Sequence, residues 1–232
     1  MGAVVAFDTA TDDVAVALTT DPGGVAERRV PPARGRPRHA EVLLAEVEAV
    51  VDEGGGWRRV ERIGVGVGPG SFTGLRIGIA TARALAQALG KPLVAVGTLA
   101  ALAAGIETSG DAARRPRLAV LDARRGQAFA ALYAVDGEEV WPPFVARPEE
   151  LVERLRAMPA PCVAAGSGAL RFRRELAATE AIVLAESHPA HRIAPRRICS
   201  LARAGQPASP ESIQPIYLRP PDAEIWLDRD SD

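Results

Sequence analysis

The residues best suited to chemistry form a glycine-rich run between a predicted strand and a predicted helix, Gly68-Pro69-Gly70-Ser71-Phe72-Thr73-Gly74-Leu75-Arg76. Its glycines permit positive φ angles and a close backbone approach, and Ser71 or Thr73 can cap the helix that follows. The free N–H groups at the start of a helix can bind an anion. Two interpretations stay open: a phosphate or nucleotide turn, or a helix entry that packs against another segment.

Two further runs place short polar side chains at the apices of predicted hairpins. They are Asp8-Thr9-Ala10-Thr11 in the first half and Asp122-Ala123-Arg124-Arg125-Gly126 in the second. Such turns can hold the phosphate tail of a nucleotide, although Asp and Thr also populate ordinary turns. Two apices in two similar halves are the arrangement of an actin-like ATPase cleft. The candidate nucleotide-facing residues are therefore Asp8, Thr9, Thr11, Gly68, Gly70, Ser71, Thr73, Asp122 and Arg124.

The spacing of these residues excludes three familiar catalytic loops. A P-loop ends in Gly-Lys-Ser/Thr, whereas Lys91 is followed by Pro92. A dinucleotide fingerprint counted from Gly66 has Ser71 at its third glycine position. A nucleophile elbow needs a glycine two residues before its serine, and neither Ser71 nor Ser167 has one.

Residues that bind metals are sparse in this chain. The histidines are His39, His188 and His191, and no pattern of carboxylates or thiols around them completes a zinc site. Cys162 and Cys199 lack a CxxC spacing, so we expect no disulfide framework. We expect neither a metal nor a bound cofactor. His39, at a predicted helix start, is interpreted as a cap or interface residue rather than a base.

The bulk composition limits the class of protein. The chain has 232 residues, of which 47% are hydrophobic and 25% charged, with a formal net charge of −1. These values are ordinary for a globular protein of one or two small domains. They do not predict extensive contact with a polyanion, which usually requires a clear basic excess. Without a leader sequence or an apolar run of about 18 residues, we expect a cytoplasmic protein that does not enter a membrane.

An arginine-containing loop precedes the first predicted helix. It reads Pro31-Pro32-Ala33-Arg34-Gly35-Arg36-Pro37-Arg38, and its proline and glycine content predicts irregular structure. An anion contact and a solvated loop both stay open, and the solvated loop is the more common outcome for such a run.

Hydrophobic periodicity places the motifs on two similar units, each with a hairpin, a buried strand and a helix. Predicted helices lie at 39–51, 75–89 and 193–203, and predicted strands after the hairpins at 63–67, 93–96, 162–165 and 182–185. Gly64 and Gly66 alternate in the strand at 63–67, which predicts a close approach of another backbone. We expect a duplicated α/β fold with an N-terminal subdomain at 1–105 and a C-terminal subdomain at 106–232.

Several of these runs, in this order, resemble the TsaB (YeaZ) family over nearly the whole chain. The matching runs are Phe7-Asp8-Thr9-Ala10-Thr11, the glycine turn at 68–76, the helix start at 77–86, Leu121-Asp122-Ala123-Arg124-Arg125 and Pro215-Ile216-Tyr217-Leu218-Arg219-Pro220. The resemblance implies an actin/Hsp70/sugar-kinase-like (ASKHA) fold of two small subdomains with mixed sheets flanked by helices.

The resemblance also implies a function without catalysis. It implies a partner subunit of a TsaD-type paralogue that places threonylcarbamoyl on the tRNA adenosine next to the anticodon. That paralogue carries a His-x-x-x-His metal pair where this chain has Thr98 and Leu102. Because leucine cannot bind a metal, we expect the catalytic metal to be missing here. A TsaE-type ATPase is expected in the same assembly. We expect this chain to contact tRNA only indirectly, through its partners. A homodimer is possible when the chain is alone.

The helices at 39–51 and 73–89 are the expected partner interface, because they carry more apolar and small residues than a solvated face needs. The candidate interface residues are His39, Leu43, Val47, Arg76, Ile79, Ala82, Arg83 and Ala86. The alternative function is a small-molecule kinase or ATPase on the same fold, with Asp8 and Asp122 as its carboxylates. A glycoprotease-like hydrolase is a third interpretation, and it lacks a nucleophile and base.

Overall fold

Two five-stranded mixed sheets frame the protein in the computed structural model, which describes residues 2–219. The first sheet has the order β3-β2-β1-β4-β5. Its strands are β1 (Ala3–Asp8), β2 (Val14–Thr19), β3 (Val25–Val30), β4 (Val60–Gly66) and β5 (Leu93–Val96). The helices of this half are α1 (His39–Glu53), α2 (Phe72–Leu89) and α3 (Thr98–Ala104). Helices α1 and α2 agree with the helices predicted at 39–51 and 75–89 to within three residues at each end.

The second sheet repeats the first. Its strands are β6 (Arg117–Asp122), β7 (Ala128–Tyr133), β8 (Glu139–Ala146), β9 (Val163–Ala165) and β10 (Ile182–Val183), in the order β8-β7-β6-β9-β10. In both sheets the first three strands in sequence pair antiparallel and the last two join in parallel. The helices of this half are α4 (Pro148–Arg156), α5 (Ser167–Arg171), α6 (Arg173–Leu176) and α7 (Pro195–Ala204).

Strand β8 and helix α4 are absent from the predicted elements. Pro142 and Pro143 lie within β8 and argue against a strand, because proline cannot donate to a ladder. The structure accommodates both prolines because β8 is the edge strand of its sheet.

Helices α3 and α7 join the two halves. One hydrophobic cluster runs from the inner face of the first sheet through both helices to β6 and β7. Helix α7 packs on β1, β2 and β4 of the first sheet, and α3 packs on β6 and β7 of the second. The chain then returns to the first half, where the Ile216 N–H donates to the Val67 carbonyl at 2.7 Å. The subdomain boundary between residues 105 and 106 stays a prediction. Helix α3 packs across it on the second sheet, and α7 packs across it on the first. Residues 220–232, including Pro220 of the matching runs, lie outside the described residues.

Gly64 allows α7 to approach the first sheet. A Cβ built on Gly64 would lie 2.5 Å from the Cβ of Ala202 and 2.9 Å from the Cβ of Ala6. The predicted close approach is therefore present, but side chains make it and not a second backbone.

We expect Gly64→Ala to destabilise the fold by about 1–3 kcal/mol, because the added methyl overpacks the α7 contact. Chemical denaturation of both proteins measures the difference. Combining it with Ala202→Gly should recover part of the loss, since the two positions share one space. An unchanged free energy of unfolding for Gly64→Ala would contradict this account of the packing.

Candidate functional site

The Asp8 carboxylate lies at the centre of the candidate site and is only 1% exposed. Its Oδ1 accepts a hydrogen bond from the Ala10 N–H, and its Oδ2 accepts one from the Thr98 hydroxyl, both at 2.7 Å. Burial raises the pKa of Asp8 above its ordinary value, although these hydrogen bonds and His39 act in the opposite direction. A Cβ on Gly66 would lie 1.9 Å from Asp8 Oδ2, so only glycine at that position leaves space for the carboxylate.

The glycine turn packs against the apex of the first hairpin. The Thr9 hydroxyl donates to the Gly74 carbonyl, and the Ser71 N–H donates to the Ala10 carbonyl, both at 2.7 Å. A Cβ on Gly74 would lie 1.9 Å from the Thr9 carbonyl oxygen, and one on Gly70 would lie 2.3 Å from that of Ala10. The Ser71 hydroxyl caps α2 by accepting from the Gly74 N–H at 3.2 Å. Of the two interpretations of this run, the structure shows the packed helix entry.

His39 connects the start of α1 to the apex of the first hairpin through a hydrogen bond. Its Nε2 lies 2.8 Å from the Thr11 carbonyl oxygen, and because a carbonyl only accepts, Nε2 carries the proton and donates. Its ring also lies against Gly74, where a Cβ would be 2.9 Å from His39 Cε1. These contacts give His39 a positioning role. It is not the predicted cap, because the N-cap of α1 is Arg38, and it is buried rather than available to a partner.

The structure corrects part of the predicted nucleotide-facing set. Asp8, Thr9 and Gly68 are buried, and Gly68 exchanges hydrogen bonds with Thr98, which contradicts a position facing a ligand. The remaining candidates lie at or near the surface, and for them the assignment stays a prediction. These are Thr11, Gly70, Ser71, Thr73, Asp122 and Arg124.

The second apex meets the first across the space between the subdomains. Arg124 Nη2 lies 3.0 Å from Asp12 Oδ2. Asp122 Oδ1 accepts from the Arg124 N–H, and Asp122 Oδ2 accepts from Arg171 Nη1, both at 2.8 Å. Arg124 and Arg125 adopt positive φ angles of 63° and 51° at this turn. The two apices thus come together as predicted, with arginine side chains between them.

Two cysteines and Ser167 are the nucleophile types considered at the sites predicted from the sequence. Burial raises the pKa of both Cys162 and Cys199 to about 12, so neither thiol forms a thiolate near neutral pH. The Ser167 hydroxyl accepts from the Asp122 N–H at 3.1 Å. Within residues 2–219, no three His, Cys, Asp or Glu side chains are grouped to hold a metal ion. Over the same residues, none of the helices combines the length and the apolar character that crossing a membrane requires.

The predicted interface residues mostly face the protein's own core. Six of these candidates are buried within the chain, which contradicts a place on a partner surface; they are His39, Leu43, Val47, Ile79, Ala82 and Ala86. Arg83 is half-buried and donates to the carbonyls of Glu211 and Ile213. Arg76 is exposed as expected. Its guanidinium lies 3.8 Å from the centroid of the Phe72 ring, and its Nε donates to the Tyr217 hydroxyl at 3.2 Å.

A different set of residues forms the outward surface of the helix pair. We call it the α1–α2 outer face. Its exposed residues are Ala40, Glu41, Leu44, Ala45, Glu48 and Asp52 of α1 with Thr73, Arg76, Ala80, Ala84, Gln87 and Ala88 of α2. Leu44 is 50% exposed and is the large apolar side chain of α1 that faces outward. Alanines occupy every even position from 80 to 88, so the sequence pattern did not distinguish inward from outward ones.

We expect Thr98→Val to destabilise the protein by about 1–3 kcal/mol, because it leaves the buried Asp8 carboxylate without one of its donors. Thr98→Ser keeps the hydroxyl and should retain most of the stability. Urea denaturation of the three proteins checks this. Equal losses for the serine and valine variants would show that the hydrogen bond to Asp8 is not what matters.

The sequence matches a known family over most of its length. The family model described as TsaD, tRNA N6-adenosine threonylcarbamoyltransferase, matches residues 14–187. The Escherichia coli (strain K12) tRNA threonylcarbamoyladenosine biosynthesis protein TsaB is 30% identical over 224 residues, which cover 93% of this chain and 94% of that protein. The Bacillus subtilis (strain 168) protein of the same name is 29% identical over 73% of this chain and 74% of its own.

Solved structures agree with this match. A Pseudomonas aeruginosa protein described as similar to the peptidase YeaZ has a TM-score of 0.77 and 31% identity, covering 94% of this chain and all of the other. YeaZ from Pseudomonas aeruginosa follows with a TM-score of 0.73 and 28% identity over 94% of this chain and all of its own. Together with the repeated sheets, these similarities confirm the predicted ASKHA-type duplicated fold. The chain belongs to the TsaB (YeaZ) family, within the broader group that the TsaD family model describes.

Proposed function

We propose that this protein is a non-catalytic subunit that a TsaD-type enzyme requires for threonylcarbamoylation of the tRNA adenosine next to the anticodon. The relatives named for tRNA threonylcarbamoyladenosine biosynthesis align with nearly the whole chain, which supports a role in the same process. A cytoplasmic location belongs to this proposal, because the process acts on tRNA.

The buried network at Asp8 is the observation that supports the absence of catalysis. Both carboxylate oxygens of Asp8 accept hydrogen bonds from the protein itself, and the Thr98 hydroxyl is used by Asp8 and by the Gly68 N–H. Thr98 and Leu102, at the positions of the paralogue's metal pair by resemblance, are both fully buried. Groups that a nucleotide or a metal would need are therefore committed to holding the fold.

The α1–α2 outer face is the proposed surface for the catalytic partner. Its alanines allow a second helix to approach closely, and Leu44 offers apolar area that this chain leaves exposed. At one end the Phe72 and Tyr217 rings lie 5.1 Å apart beside the Arg76 guanidinium. Aromatic and arginine side chains of this kind are typical anchors of protein interfaces.

Further partners follow from the same proposal. A TsaE-type ATPase belongs to the same assembly, and tRNA is held mainly by the catalytic subunit. When that subunit is absent, the outer face is available to a second copy of this chain, which would give a homodimer. A small-molecule kinase or ATPase is the alternative function. It is less well supported, because Asp122, like Asp8, already accepts hydrogen bonds at both carboxylate oxygens.

We expect Ala84→Arg to weaken binding of the TsaD-type partner more than a hundredfold, or about 3 kcal/mol, because it places an unpaired charge within the interface. Ala84 is exposed, so the fold should survive, and circular dichroism verifies this. Ala178→Arg, at an exposed alanine of the second half, is the matched control. Ala82→Glu is unsuitable because Ala82 is fully buried.

Binding is measured by titrating the purified partner against each variant. If folded Ala84→Arg protein binds the partner with the same affinity as Ala178→Arg protein, the outer face is not the interface. If the unaltered chain binds no TsaD-type protein at all, the proposed function itself is wrong.

A further inference from the structure

The segment between β3 and α1 carries a local positive charge, and only some of its arginines pair with other groups of the protein. Residues 28–40 contain five arginines and no acidic residue, in a chain whose net charge is −1. Three of the arginines have partners within the protein; these are Arg28 with Glu53, Arg29 with the Ile193 carbonyl, and Arg38 with Glu41. For the side chains of Arg34 and Arg36, which are exposed, the described part of the chain supplies neither an ion pair nor a hydrogen bond.

A tight turn holds these two arginines in place. The Ala33 N–H donates to the Arg36 carbonyl at 3.0 Å, and the Arg36 N–H donates back to the Ala33 carbonyl at 2.9 Å. Between them, Arg34 and Gly35 have φ angles of 50° and 72°, as in a two-residue hairpin turn of type I′. Arginine is not a favoured residue at a positive φ, and such conformations concentrate at functional sites. The loop predicted to be irregular is therefore a closed turn that presents two guanidinium groups.

The turn lies at one end of the proposed partner surface. Helix α1 begins at His39, three residues after Arg36, and His39 packs against Gly74 at the start of α2. The two arginines therefore lie shortly before the N-terminal end of α1, which itself contacts the start of α2. A macromolecule held by a partner on the α1–α2 outer face would pass close to them.

We infer that Arg34 and Arg36 contact backbone phosphates of the tRNA that the catalytic partner holds; this inference rests on the proposed function. A guanidinium is a planar, permanently charged fork that binds phosphate well. Such contacts carry no sequence information but fix the position of a nucleic acid. Two guanidinium groups on one turn can contact one or two phosphates, so the partner supplies most of the affinity.

The test uses the complex of this chain with its TsaD-type partner and an unmodified substrate tRNA. We expect Arg34→Ala/Arg36→Ala to weaken tRNA binding about 3–10-fold and to reduce the salt dependence of log Kd by about 1–2, as loss of one or two phosphate contacts predicts. Arg58→Ala/Arg59→Ala is the matched control, because both residues are exposed and follow α1 at its other end, about 22 Å away. Arg34→Lys/Arg36→Lys keeps the charge and should retain the salt dependence.

Partner affinity is measured on the same proteins without tRNA. If the Arg34/Arg36 alanine variant forms the complex normally and binds tRNA with unchanged affinity and salt dependence, the inference is overturned while the proposed function stands. If that variant instead loses affinity for the partner, the turn meets an acidic protein surface, and the inference is again wrong. If the unaltered chain forms no complex, the proposed function and this inference fail together.

Discussion

The buried hydrogen bond between Thr98 and the Asp8 carboxylate is the interaction on which the structure depends. It ties the end of β1 to the start of α3, the helix that packs on the second sheet. A carboxylate in this position is costly, and it is tolerated because Ala10 and Thr98 supply donors and Gly66 leaves it space. The glycine turn and His39 pack against the apex of the same hairpin. Substitutions at these positions therefore disturb the junction between the halves as well as a local contact.

This junction supports the proposal that the protein acts without catalysis although its fold is built around a cleft. In the first half, the polar groups that would face a ligand bond to one another and hold α1, α2 and the hairpin in register. In the second half, Arg124 spans the gap to Asp12, and Arg171 neutralises Asp122. Among the exposed surfaces is the outside of α1 and α2, with Leu44 and the cluster around Arg76. The polar groups at the two apices are thus paired within the chain, and the exposed helix face suits the proposed partner.

The sequence predicted the architecture well and the directions of side chains poorly. Periodicity located most strands and the long helices, and the glycine spacing indicated the tight packing at 64–74. The sequence pattern did not predict β8, because its two prolines are unfavourable in most strands and are tolerated here at a sheet edge. It also misplaced Ala82 and Ala86, since alternating alanines give a helix no distinct apolar side and only tertiary packing selects one. The nucleotide-facing set failed at Asp8 and Thr9 for a related reason: the same residue types that bind phosphates also bind each other.

The central claim is that this chain supports catalysis by its partner without taking part in the chemistry. Its most direct test is the rate of tRNA threonylcarbamoylation by the reconstituted complex, measured with the unaltered chain and with Asp122→Asn. This substitution keeps the shape of the side chain but removes a carboxylate that the alternative kinase or ATPase function would need. The account predicts no modification without this chain and an unchanged rate per complex with Asp122→Asn. A rate reduced more than about tenfold, in a complex that assembles normally, would contradict it, because general acid–base groups contribute at least that much.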